Sequence, residues 1–100
     1  MFKMMEKIAK GQRPAFGLDS INTENETRYP KNTIQMYFTS NHDENSWNGT
    51  EFEKFGPLAL PFAVLGATWA GLPLMYSGQE IPNPRRLKFF DKDPLAWNRP

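Results

Sequence analysis

A chain of 100 residues suffices for one small domain and is too short for a closed (β/α)8 barrel, which takes about 250. Twelve basic and eleven acidic residues leave a net charge of +1, and the two signs are interspersed, so no basic face points to nucleic acid. Cysteine is absent, which excludes disulfides and thiolate metal sites, and no apolar run approaches the roughly 18 residues of a membrane span.

The first six residues, Met1 to Glu6, are too charged for the apolar core of a signal peptide. Phe2, Met5, Ile8 and Ala9 recur on one helical face, which predicts a helix over 2–10 with Gly11 as its stop. Residues 12–18 read as a loop. Asp19 or Ser20 is placed to cap a second helix that ends before Tyr29-Pro30, because a residue preceding proline disfavours the helical region.

Ile34, Met36, Tyr37 and Phe38 predict a first strand over 33–38. The polar stretch 39–50, rich in Asn and Ser, reads as a loop. A buried helix is expected over 59–70, with Pro61 in its first turn, Gly71 closing it and Pro73 preventing continuation. Residues 74–77 predict a second short strand, and a loop continues through Pro84. Leu87 to Phe90 fits a turn of helix or a strand equally. Arg85-Arg86 is the only compact basic pair and reads as a solvated loop or a structural ion pair.

Strand, loop, helix and strand in this order make a βαβ unit, whose strands are parallel and end at the same rim. Ligands of α/β folds bind at that rim. Asn41, His42 and Asp43 stand directly after the first strand, and Gly78, Gln79 and Glu80 after the second. His42 is the chain's single histidine; with no cysteine beside it, a zinc site is not expected. Core packing accounts for most of the fourteen aromatics (eight Phe, three Tyr, three Trp), but Trp47 and Trp97 lie in polar, turn-rich segments.

The run Phe38-Thr-Ser-Asn41-His42-Asp43 resembles the fourth conserved region of the α-amylase family, glycoside hydrolase family 13, at the end of barrel strand seven. In register with it, Gly71-Leu-Pro73-Leu-Met-Tyr76-Ser-Gly78-Gln-Glu80 is similar to that family's segment around strand eight. The resemblance covers roughly residues 30 to 97. It implies an α/β fold, a partial (β/α)8 TIM barrel, with residues 1–100 forming a single partial domain. It also implies a parent enzyme that cleaves α-glucosidic bonds in starch-like α-glucans with retention. Calcium in that parent would be bound by residues outside this chain, and the parent would act outside the cytoplasm of a bacterium. Retaining hydrolysis requires a nucleophile and a general acid about 5 Å apart. The family's Asp and Glu in those roles would precede Met1, so the chain alone is expected to be inactive.

By the same resemblance, Asp43 is the carboxylate that stabilises the oxocarbenium-like transition state through ring hydroxyls. His42 donates to a neighbouring hydroxyl, and Asn41 orients the loop. Trp47 either stacks on a sugar or packs in a core. Glu80 either binds substrate or anchors the loop after the second strand, with anchoring preferred. The expected partner is an α-glucan or maltooligosaccharide. Two strands cannot close a barrel, so self-association through exposed apolar surface is also expected. A non-catalytic carbohydrate-binding or assembly fragment is the other reading.

Overall fold

The computed structural model describes residues 1–97. It holds four helices and two short strands in the order α1 (Phe2–Ala9), α2 (Asp19–Arg28), β1 (Met36–Tyr37), α3 (Glu51–Phe55), α4 (Ala59–Thr68) and β2 (Leu72–Pro73). β1 and β2 pair in parallel, with Met36 opposite Leu72 and Tyr37 opposite Pro73. The fold is thus a small mixed helix–strand domain with a two-stranded parallel sheet.

α1 follows its apolar stripe. Met5 is fully buried in a core with Phe55, Ala59 and Phe62, and Phe2, Ile8 and Ala9 pack against it. Gly11 ends the helix at φ +73°. Its N–H donates to Ile8 and that of Gln12 to Lys7, a left-handed cap that glycine adopts without strain.

The segment expected as a loop before α2 contains a 3₁₀ turn over Ala15–Leu18. Neither Asp19 nor Ser20 caps α2; Leu18 occupies the N-cap without a side-chain bond. The Ser20 hydroxyl donates instead to the Gly17 carbonyl at 2.6 Å. The preceding turn winds straight into the helix, so no separate side-chain cap starts it. α2 stops at Arg28, with Tyr29 extended before Pro30.

Both strands are shorter than expected, and the second is displaced two residues towards the N-terminus. Leu72 N–H donates to the Gln35 carbonyl and Leu74 N–H to the Tyr37 carbonyl, both at 2.8 Å. In a parallel ladder alternate residues of one strand donate to a given neighbour, so Pro73 sits where no N–H is required. Gly71 permits the approach of the two strands. A Cβ there would lie 2.5 Å from the Gln35 carbonyl oxygen and 2.6 Å from Tyr37 Cε2.

α3 was not expected. Its start is a capping box: Glu53 N–H donates to Thr50 Oγ1 at 3.2 Å, and Thr50 N–H to Glu53 Oε1. A 3₁₀ turn over Gly56–Leu58 leads into α4, which is not the buried helix expected: it buries Ala59, Phe62 and Gly66 on one face and leaves Leu60 and Val64 exposed on another. α4 ends at Thr68, two residues before the expected boundary, where Trp69 turns extended. Among the described residues no helix is long and apolar enough to cross a membrane.

Candidate functional site

Three segments build the site, and each is held by a different kind of contact. The first continues β1. Thr39 and Ser40 are buried, and the chain then surfaces at Asn41. Asn41 Oδ1 accepts from Glu44 N–H at 2.8 Å, and its carbonyl accepts from Asn45 N–H at 2.9 Å. These contacts wind 42–48 into a helical turn, of π type over Glu44–Asn48. The expected open loop is therefore ordered, because Asn41 is a helix cap. Gly49, at φ +119°, ends the turn.

His42 and Asp43 occupy the start of this turn. Their side chains are 69% and 62% exposed, with His42 Nε2 3.5 Å from Asp43 Oδ2. Asn41 thus caps the segment, while the exposed imidazole and carboxylate follow it beyond the C-terminal end of β1. Together they present a donor and an acceptor to solutes at the rim.

The second segment follows β2. Gln79 Nε2 donates to Thr39 Oγ1 at 2.8 Å, and Gln79 Oε1 accepts from Tyr76 N–H at 3.1 Å. The loops after the two strands therefore meet at one rim. The anchoring role preferred for Glu80 falls to its neighbour Gln79. Glu80 is exposed and makes no hydrogen bond or ion pair among the described residues. The turn 76–80 directs residue 79, not residue 80, back to β1.

The third segment spans 85–93, and sequence reasoning missed how it is held. Asn45, 2% exposed, accepts from Leu87 N–H at 2.7 Å, and Ser46 Oγ donates to the Leu87 carbonyl at 2.6 Å. Arg86 donates to both oxygens of Glu53, the closest contact being 2.6 Å, and Arg85 donates to both oxygens of Asp93 at 2.7 Å. Arg85 and Arg86 are thus structural ion-pair residues. The guanidinium of Arg86 holds Glu53 below the ordinary carboxylate range. Residues 87–90 form neither helix nor strand; the Asn45 and Ser46 side chains bond the Leu87 backbone, and Asp93 accepts from Lys88 N–H.

This strap carries Phe89 and Phe90 beside Trp47. Trp47 is 58% exposed, Phe89 37% and Phe90 83%, so the core-packing reading of Trp47 does not hold for this chain, and Phe90 faces solvent as well. Ring centroids lie 5.3 Å apart for Trp47–Phe89, 4.7 Å for Phe89–Phe90 and 5.9 Å for His42–Phe89. Trp97 is exposed as well. Among the described residues no group of three or more His, Cys, Asp or Glu side chains can hold a metal ion.

Compared with protein-family models, with curated proteins and with solved structures, the chain has no match.

Proposed function

We propose that this chain is the strand-seven to strand-eight portion of a retaining α-amylase-type glycoside hydrolase, acting on starch-like α-glucans. The observation that carries the reading is the shared rim. β1 and β2 are parallel, their following loops are joined by the Gln79–Thr39 bond, and Asn41-His42-Asp43 leads away from the end of β1. Two separate motifs, matched in order along the sequence, would have to meet in this way to serve one active site.

In this role the Asp43 carboxylate accepts hydrogen bonds from ring hydroxyls, and those bonds tighten as the sugar ring flattens towards the oxocarbenium ion. His42 donates to an adjacent hydroxyl without transferring a proton. The nucleophile and general acid come from residues that precede this chain in the parent, as does any calcium site. A second reading, sugar binding without turnover, draws on the exposed Trp47, Phe89 and Phe90 rings.

The reading frame upstream of Met1 tests the proposal first. It is expected to encode, in frame, the Asp and Glu motifs of strands four and five. A stop codon directly upstream, with no such motif in frame, would overturn the enzyme reading in favour of the binding one. In the complete enzyme, Asp43→Asn is expected to lower kcat roughly 10²–10³-fold, as loss of a transition-state contact does. An unchanged kcat with a raised KM would show that Asp43 only holds substrate.

A further inference from the structure

The strap 85–93 keeps apolar rings in water by polar means. Its backbone is bonded at Leu87 to Asn45 and Ser46, and at Lys88 to Asp93. Its guanidinium groups are tied to Glu53 and Asp93. Burying a Phe ring contributes roughly 2 kcal/mol, and here most of that gain is forgone for Phe90, 83% exposed, while Phe89, 37% exposed, packs between it, Trp47 and His42. A surface ordered before a ligand arrives also lowers the entropy cost of binding it.

The groove along the strap has a volume of about 380 Å³, within the range of small-molecule sites. Trp47, Phe89 and Phe90 supply its apolar lining, and Ser46, Lys88 and Asp91 its polar lining. Flat apolar rings alternating with groups of both charge signs suit a neutral ligand that has apolar faces and hydroxyl edges. A pyranose has that form, since its axial C–H bonds make a hydrophobic face. A protein or lipid surface would require a more continuous apolar patch. The groove is also continuous with the rim, because the His42 ring lies against Phe89.

We infer that Trp47, Phe89 and Phe90 form a stacking subsite for glucosyl units, continuing from Asp43 along the strap. The inference rests on the α-glucan reading for the identity of the sugar. Substrate longer than the bonds at Asp43 require would lie across these rings. The Glu53 carboxylate ties the strap to α3, accepting from Thr50 N–H in the capping box and from Arg86.

The test is a titration of the 100-residue chain with maltoheptaose, followed by aromatic ¹H–¹³C NMR. The largest shifts are expected at Trp47, Phe89 and Phe90, and smaller ones at Trp69 and Trp97. Phe89→Leu is expected to weaken binding about tenfold, on the scale of one lost aromatic contact, and Phe89→Tyr to retain it. The wild-type shift map decides the matter without any variant. Shifts confined to other residues would overturn the subsite and leave the α-glucan reading standing. Equal or larger shifts of the same three rings with cellohexaose would keep the stacking surface and overturn the α-glucan reading. No shift with either sugar would overturn the subsite.

Discussion

Gly71 shows how one residue can control the register of the site. The Cβ of any other residue would collide with the Gln35 carbonyl and the Tyr37 ring, neither of which can yield without moving β1. Gly71→Ala is expected to destabilise the chain by about 1–3 kcal/mol, the usual cost of overpacking. It should also loosen the Gln79–Thr39 contact at the rim. Thermal unfolding followed by circular dichroism checks the first effect; a variant as stable as wild type would show that the strands tolerate a wider spacing. Ser40, by contrast, carries a buried hydroxyl with no hydrogen-bond partner among the described residues, a cost accepted directly before the site. Asn41 contributes locally, as a cap, and that role is visible in its position before a polar segment.

Among the elements, α3 links the core to the site and brings two carboxylates of opposite behaviour into play. Lys54 on α3 donates to Glu6 on α1 at 2.7 Å and lies 3.6 Å from Glu44 in the turn that carries Asp43. The Lys54 bond holds Glu6 below the ordinary carboxylate range. This contribution is present above the unfolded-state value and is lost as pH falls through the lower folded value. Glu51 is only 5% exposed, and burial raises its carboxyl. Its contribution has the reverse sign: it is full at acid pH and is lost as pH rises through the raised folded value. Glu51→Gln is therefore expected to stabilise the chain near neutral pH by about 1 kcal/mol, the lower end of the cost of a poorly compensated buried polar group. The gain should vanish on acidification. Lys54→Met is expected to cost about 1–2 kcal/mol at neutral pH, between an exposed and a buried ion pair, and less in acid. Urea unfolding across the carboxylate range measures both. A Glu51→Gln gain that grew towards acid pH would mean that the carboxylate is stabilised by its surroundings.

At the scale of the molecule, the surface is larger than the chain length warrants. The accessible area is 6900 Å², whereas a compact monomer of this mass exposes roughly 5,800 Å². The radius of gyration of 14.6 Å likewise exceeds the roughly 13 Å of a compact 100-residue domain. The excess area includes Leu60 and Val64 on α4, Leu72 and Met75 at β2, and Ile34 and Met36 at β1. Proline at 73 removes one donor from β2, but β1 keeps an open edge, which invites pairing. The free chain is expected to self-associate at micromolar concentration, and Val64→Lys is expected to shift it towards monomer with its helix content unchanged. Light scattering with circular dichroism measures both properties. A wild-type monomer with strongly protected strand amides would mean that the chain is a self-sufficient domain.

Patterns of local origin were legible from the residues alone. The α1 stripe, the Gly11 stop, the halt before Pro30 and the α4 segment each rest on propensity or periodicity within about four residues. The parallel strand pair followed from the order of apolar segments along the chain, and the exposed position of His42 and Asp43 from the polar run after β1. The Thr50–Glu53 capping box was legible too and was overlooked. The strap was not legible: Ser46 meets Leu87, Asn45 meets Leu87 and Gln79 meets Thr39 across about forty residues. No local preference of Asn, Ser or Gln names a partner at that distance. Strand length and register belong to the same class, because pairing requires a neighbour, and only the packed chain shows where β1 and β2 meet. Exposure of Phe89, Phe90 and Trp47 follows from where the strap is tied, so rings whose composition suggests a core are held in solvent.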